Sequence, residues 1–320
     1  MRILLTGCNG FVGGAVAADA LSRGWQVVGL GRQPAPAHPV TSYVRHDLSA
    51  PLPRDAVPGQ IDAVVHAAAL ASPWAPPRAF VAANVDGTKH VARWAADHGA
   101  PPLVHVSSTS VLYRDADQTG LTEDAPVPPD DEQINVYSRT KSIAERVVAH
   151  YPGPLVVVRP RAVFGAGDTV LLPRIIAAAR RGVLPVLEPA DGPPVVVDLA
   201  VVQTVAHYII EAIERQVTGL FHLTNAEPVE LYPLLTDILD RLGLDVRLQR
   251  VPVGLARTLA GTAELFSATL MGWAEPPLTR FGVSALSQSR TFDVSRTLAT
   301  LGPPAVSVAE GVEAVVAAHG

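Results

Sequence analysis

Met1-Arg-Ile-Leu-Leu-Thr-Gly7-Cys-Asn-Gly10-Phe-Val-Gly13-Gly14 opens the chain and decides its fold. Ile3 to Leu5 form a short apolar run of the kind that makes a buried parallel strand. Three glycines at spacing three follow, and Ala15-Val-Ala-Ala-Asp-Ala-Leu21 then reads as a helix. Strand, glycine turn and helix in that order are the setting of a dinucleotide-binding loop. Gly7 permits the tight turn, Gly10 lets the backbone approach a pyrophosphate, and Gly13 lets helix and strand pack closely. The helix N-terminus offers unpaired N–H groups and the positive end of its dipole to the phosphates.

Outward from this stretch, apolar runs alternate with helical patterns to about residue 165. Further strands are expected at Gln26–Leu30, Ala63–His66, Leu103–Ser107 and Leu155–Arg159. Such alternation calls for a parallel sheet covered on both faces, with ligands beyond the carboxyl ends of its strands. The expected fold is therefore α/β, a Rossmann-type doubly wound parallel sheet, and after about residue 166 the pattern changes. In that second part Leu171–Arg181 reads as an amphipathic helix and Pro185 to Pro194 as a Pro-rich connection. Val195–Val197 reads as a short strand, Ala200–Arg215 as a helix, Phe221–Leu223 as a strand and Leu231–Leu242 as a helix. The polar stretch Arg114–Gln133, with seven acidic residues, reads as a solvated loop. Leu255, Leu259, Phe266 and Leu270 share one helical face, which is expected to pack on the protein's own core.

Composition narrows the function. A net charge of −5 with scattered arginines gives no basic stripe, so nucleic acid is not an expected partner. No stretch of 18 residues lacks charge, so no transmembrane helix is expected, and no signal peptide precedes the first strand. One cysteine, Cys8, excludes an internal disulfide and a cysteine metal cluster, and the ten histidines show no ligand spacing. A cytoplasmic enzyme without metal is the expectation, with a homodimer as the prior for its assembly.

Asn135-Val-Tyr137-Ser-Arg-Thr-Lys141 carries the second signal. The chain has two lysines against twenty-three arginines, and one of them follows a tyrosine by four residues. That spacing stacks both side chains on one helix face. An ammonium beside a phenol favours the phenolate, so the pKa of Tyr137 should fall from about 10 toward the range useful for proton transfer.

Together these motifs resemble the extended short-chain dehydrogenase/reductase family over nearly the whole chain. Thr6-Gly-Cys-Asn-Gly-Phe-Val-Gly13 matches its cofactor loop and Tyr137-Ser-Arg-Thr-Lys141 its catalytic pair. Val106-Ser-Ser-Thr-Ser-Val-Leu-Tyr113 matches the strand ending in the catalytic serine, and only the family's register picks Ser108 from Ser107, Thr109 and Ser110. His66-Ala-Ala-Ala69, Asn84-Val-Asp-Gly-Thr88 and Arg159-Pro-Arg-Ala-Val-Phe-Gly165 are further matches. Ser107-Ser-Thr-Ser-Val-Leu-Tyr113, Gly167-Asp-Thr-Val-Leu-Leu-Pro-Arg174 and Glu275-Pro-Pro-Leu-Thr-Arg-Phe281 extend the likeness to the 3-beta-hydroxysteroid dehydrogenase-like branch, which includes bacterial reductases of 2-alkyl-3-oxoalkanoic acids. The resemblance implies a smaller, partly interleaved C-terminal substrate domain, with residues 1–165 and a return of 195–225 as the dinucleotide-binding part and 166–320 as the substrate-binding part.

The resemblance implies an NAD(P)-dependent oxidoreductase that interconverts a ketone and a secondary alcohol on an apolar substrate such as a beta-keto acid, a steroid-like ketone or a secondary-metabolite ketone. Tyr137 would be the proton donor, Lys141 its partner and a contact of the nicotinamide ribose, and Ser108 the group orienting the substrate oxygen. Cofactor contacts would come from Gly7, Asn9, Gly10, Phe11, Val12, Gly13, Arg32, Asp47, Leu48, Ala67, Ala68 and Ala69 with Tyr137 and Lys141, Asp47 matching an adenine contact. An NAD-selective site usually carries an acidic residue at the end of the second strand. Here Gly31 stands there and Arg32 follows, so NADP(H) is the expected cofactor and NAD(H) the alternative. Arg161 and Arg174 are candidates for binding an acidic group of the substrate or for structural pairing. An NAD-dependent nucleotide-sugar epimerase or dehydratase would reuse the same residues, and a dinucleotide sensor without turnover would tend to lose the Tyr–Lys pair.

Overall fold

The computed structural model describes residues 1–169, 172–187 and 192–319. Its strands, in chain order, begin with β1 (Arg2–Thr6), β2 (Gln26–Gly31), β3 (Ser42–Arg45), β4 (Ala63–His66), β5 (Leu103–Val106), β6 (Gln118–Leu121) and β7 (Leu155–Pro160). Six of these, all but β6, join the later strand Gly219–Leu223 in one sheet, ordered 219–223, β7, β5, β4, β1, β2, β3. Every neighbouring pair is parallel. The expected doubly wound parallel sheet is thus present, with its direction of winding reversing between β1 and β4. Alternate residues feed its two faces. Ile3 and Leu5 enter one apolar cluster with Val65 and Val104, while Leu4 enters the other with Val64 and Leu103.

α1 (Phe11–Ser22) lies on the first of these faces and packs against the helix Val202–Glu214. Arg23 ties the two together by ion pairs to Glu211 at 2.9 Å and Glu214 at 2.6 Å. The segment 202–223 therefore returns to the sheet as helix and edge strand. The helix Leu231–Arg241 stays with a second apolar cluster, alongside Leu172, Ile176 and Val197.

Four expectations change. β3 was not legible because Ser42-Tyr-Val-Arg45 is a half-exposed edge strand without an apolar run. Within the stretch read as a solvated loop, β6 pairs with Arg290–Phe292 in a four-stranded sheet. Glu123 beyond it is buried and accepts from the His222 amide. The Pro-rich connection begins inside the strand Val183–Val186, which pairs in parallel with Arg247–Arg250. Pro185 fits because a two-stranded sheet has only edge strands. Residues 188–191 of that connection lie outside the described residues, as does Leu171 of the expected helix, which runs over Leu172–Ala179.

The helix Val253–Leu270 departs most. It buries Ala256, Ala260, Glu264 and Ser267, and turns Leu255, Leu259, Phe266 and Leu270 outward at 53–73% exposure. Small residues on the buried face let the helix sit close, and Glu264 is held there by Arg280 at 2.7 Å. Among the described residues no helix is long and apolar enough to cross a membrane.

Candidate active site

The glycine turn is shaped by contacts that no side chain could share. Gly7 has φ 73°, and a Cβ on it would stand 2.6 Å from the Ala68 nitrogen. A Cβ on Gly13 would stand 2.1 Å from the Gly7 carbonyl oxygen. The loop thus rests directly on Ala67-Ala68 at the end of β4, across the reversal of the sheet. Gly10 caps α1 without a side-chain hydrogen bond, so the N–H groups of its first turn face outward as an anion cradle. Asn9 does not cap the helix. Its amide donates to Gln33 and Tyr43 at 3.2 Å each, and its oxygen accepts from the Ala37 N–H at 2.8 Å. This cradle fits a dinucleotide, with Gly7 and Gly13 packed backbone to backbone and Ala67 and Ala68 against the turn.

Gly31 at the end of β2 faces the Tyr43 hydroxyl, which would stand 2.8 Å from a Cβ there. An acidic side chain at this position would displace Tyr43. Arg32 is exposed and makes no side-chain pair among the described residues, and β3 brings Arg45 alongside Gly31. The charge of Arg32 reaches Asp47, whose carboxyl is held below its usual range first by the Ser49 N–H.

Ser108, Tyr137 and Lys141 converge beyond β5. Ser108 is extended at φ −160° and caps a short 3-10 turn, accepting from the Ser110 N–H at 3.2 Å. Its neighbours are engaged elsewhere or turned away. Ser107 donates to Glu145, Thr109 shares a hydrogen bond with the Tyr113 hydroxyl at 3.1 Å, and the Ser110 hydroxyl is buried. Tyr137 enters on the helix Val136–Val148, capped by Asn135, whose side chain accepts from the Ser138 N–H at 2.7 Å. Its ring leans on Phe80 at 6.4 Å between centroids.

The electrostatics differ from the sequence expectation. Burial pushes the Tyr137 phenol up to about 12, against the opposing influence of Ser108. Lys141 does not relieve it, because its buried ammonium donates to the Val106 carbonyl at 2.6 Å. Burial draws Lys141 itself down to about 8, with Glu145 opposing. The spacing of four stacks the two residues, but the lysine's donor is directed to the strand end.

Behind the three residues stands a network whose members His66, Asn84, Thr88 and Arg159 were legible in the sequence only as family matches, and whose centre, Glu145, sequence reading missed. Arg159 grips Glu145 in a bidentate pair, Nε to Oε1 at 2.9 Å and Nη2 to Oε2 at 2.7 Å, both side chains well buried. Glu145 also holds Ser107, so it locks the ends of β5 and β7 to the Tyr137 helix. Its signal was present, since it continues the Tyr137, Lys141 spacing by one more turn. Asn84 sits in a π-helical turn, Val81–Asp86, a device common at functional sites. Its side chain accepts from Leu70 N–H at 2.7 Å and donates to Thr140 at 3.1 Å, joining the β4 loop to the same helix. Thr88 donates to the Asn84 carbonyl at 2.6 Å, so it accepts from His66 Nε2 at 2.9 Å. His66 Nδ1 therefore accepts from Thr6 at 2.8 Å. Burial, with the Lys141 charge second, depresses His66 to about 3 and keeps it neutral.

The two arginines considered for an acidic substrate group separate. Arg174 pairs with Glu275 at 2.7 Å on the surface. Arg161 is 7% exposed and follows β7, its guanidinium 5.4 Å from the Tyr113 ring centre. It makes no side-chain hydrogen bond or ion pair among the described residues, and its Nε is buried.

The sequence model of the NAD dependent epimerase/dehydratase family matches residues 3–221, more than half of the chain. The chain belongs to this family. It is an enzyme of the family with reductases among its relatives. A 2-alkyl-3-oxoalkanoate reductase of Stenotrophomonas maltophilia (strain K279a) is 31% identical over 325 residues, covering 98% of this chain and 97% of that one. A 4-hydroxy-2-methyl-3-oxo-4-farnesyl-3,4-dihydroquinoline-1-oxide ketoreductase of Stigmatella aurantiaca is 31% identical over 314 residues, covering 94% and 91%. The fold is shared with the Bordetella bronchiseptica enzyme WbmH, solved in complex with NAD+, at TM-score 0.75 and 19% identity over 99% of this chain and 97% of that one.

Proposed function

We propose that this enzyme interconverts a ketone and a secondary alcohol on an apolar substrate, chiefly in the direction of reduction. The observation that carries the reading is the meeting of Ser108, Tyr137 and Lys141 at the end of β5, across from the glycine cradle. When bound in the cradle, a nicotinamide dinucleotide supplies or accepts the hydride. The protein's own part is the proton and the carbonyl oxygen. Ser108 holds that oxygen by a hydrogen bond, and Tyr137 gives its phenolic proton to it as charge develops. A phenol raised to about 12 is fully protonated at neutral pH, which suits proton donation. Lys141, positively charged below about pH 8, keeps one N–H on the Val106 carbonyl and has two more, with which it would hold the nicotinamide ribose and bring its charge to the phenolate that donation leaves behind.

Residues 1–165 with the returning 195–225 form the dinucleotide-binding part in this reading, and the rest of 166–320 encloses the substrate. NADP(H) is the preferred cofactor. That preference is supported by the Tyr43 hydroxyl occupying the space an acidic residue at 31 would need, and by the cations Arg32 and Arg45 beside it. The test is the absorbance of NADPH and NADH on adding apolar ketones, beta-keto acids and nucleotide sugars. NADPH oxidation by a ketone or keto acid is the expected result. Conversion of a nucleotide sugar without net change in cofactor absorbance would replace the reading with an epimerase.

A further inference from the structure

We propose that Arg161 is the anchor for a carboxylate on the substrate, and that the apolar cavity beside it takes the end of the substrate's hydrocarbon chain. This rests on the carbonyl–alcohol reading above and names the acid as its substrate class. Arg161 leaves the carboxyl end of β7, the strand next to the one that presents Ser108. Ligands of such sheets bind beyond these strand ends.

Its surroundings single it out. Arg159, on the same strand, has both carboxylate oxygens of Glu145. Arg290, on the Tyr113 ring at 4.4 Å, donates to Ser284, Gln288 and the Arg114 carbonyl. Arg161 is buried too, though slightly less than these two, and has no such acceptor among the described residues. Asp198, a buried carboxylate on which the charge of Arg161 bears, accepts from the Phe292 N–H at 2.7 Å and forms no ion pair with Arg161 among the described residues. A buried guanidinium without a partner is costly, and its planar fork matches a carboxylate.

Tyr113 connects Arg161 to the chemistry. The guanidinium lies 5.4 Å from the Tyr113 ring centre. The Tyr113 hydroxyl, which shares a hydrogen bond with Thr109 next to Ser108, bears on the Tyr137 phenol. Arg161 also borders a cavity of about 80 Å³ with Phe164, Leu172, Leu199, Leu235 and Leu286 among its walls. Arg161 is the one polar residue in that wall among the described residues. A nucleoside diphosphate, the other anion an arginine would take, brings hydroxyls and a base that these walls leave without hydrogen bonds.

The test uses the full chain with NADP+, 3-hydroxydodecanoate and its methyl ester, in the wild type, R161M and R161K. We expect the wild type to favour the acid over the ester in kcat/KM. R161M should lose about 100-fold on the acid with the ester within about threefold, and R161K should fall between them. Equal losses on acid and ester, or an unchanged ratio, would overturn the anchor and leave the oxidoreductase reading standing. Calorimetric binding of the acid to the cofactor-loaded enzyme adds a readout that needs no turnover. Weakened binding of the acid alone in R161M supports the anchor even if neither compound reacts, in which case the reaction, and not the site, is misassigned. Conversion of a nucleotide sugar that R161M abolishes, with no binding of the acid, would overturn both. Thermal melting identifies an R161M that fails to fold, and R161K, which keeps the charge but not the fork, then decides.

Discussion

Arg159 and Arg161 stand one residue apart around the end of β7 and mark two regions built on opposite principles. Around Arg159 the buried polar groups close on one another. Glu145 answers the guanidinium and Ser107, Asn84 answers Leu70 and Thr140, and His66 bridges Thr6 and Thr88. Around Arg161 the cation meets Tyr113 and an apolar wall. The first region answers its charges within the protein, although Arg159 Nη1 and the His105 ring keep no hydrogen-bond partner among the described residues, and it holds the reacting groups in place. The second has a charge that a ligand can complete. Precise chemistry needs preorganised groups, while substrate selection gains from a group satisfied on binding.

The largest effect should come from the reacting group itself. Tyr137→Phe keeps the ring against Phe80 and removes the proton, and turnover should fall by at least about 10³-fold. Fluorescence titration with NADPH should show cofactor binding within a few-fold of the wild type. Full activity in this variant would remove the mechanism.

Breaking the closed region should be felt in stability. Glu145→Gln leaves Arg159 buried without its countercharge, which costs about 3–5 kcal/mol. Urea denaturation measures it. A loss below about 1 kcal/mol would mean that the two regions are not as different as the geometry implies.

Lys141 sharpens the comparison by pH. Its pKa is lowered by burial from 10.5 to about 8, so between these values the unfolded chain holds a proton that the folded one has lost. Stability against urea from this residue should therefore rise as pH goes from about 8 to 10.5. The rate of reduction should fall over the same rise, as the ammonium beside the phenol loses its charge. Lys141→Met should remove its share of the stability slope. Two profiles moving in the same direction would contradict the assignment.

What the sequence made legible followed from local spacing. Gly7, Gly10 and Gly13 read correctly as a turn between strand and helix because the constraint on each lies within a few residues or against the next strand end. Tyr137 and Lys141 read correctly as one helix face. The direction of the phenol's shift did not, because burial and the Val106 carbonyl, not the four-residue spacing, decide it. β6 and the burial of Glu123 depend on partners about 100 to 170 residues away. The apolar stripe of 255–270 has helical periodicity whichever way it faces, and Ala256, Ala260 and Ser267 on the opposite side decided that it faces out. Arg161 and Arg174 looked alike in sequence because what separates them is Glu275, about a hundred residues on.

The smallest effect should lie at the cofactor's edge, where neither region is buried. Arg32 is exposed, so a phosphate paired with it is screened by solvent. Arg32→Ala should weaken the apparent affinity for NADPH by about tenfold, near 1.4 kcal/mol, and leave NADH within about twofold. Adding Arg45→Ala should deepen the loss for NADPH alone, since β3 sets that residue beside Gly31. The converse change tests the space rather than the charge. Gly31→Asp with Tyr43→Phe clears the hydroxyl that stands 2.8 Å from a Cβ at 31, and it should shift preference toward NADH. Gly31→Asp alone should bind both cofactors poorly, because the new carboxylate and the Tyr43 hydroxyl compete for one position. If the single variant already prefers NADH, Tyr43 yields its place readily and the selectivity rests on Arg32 and Arg45.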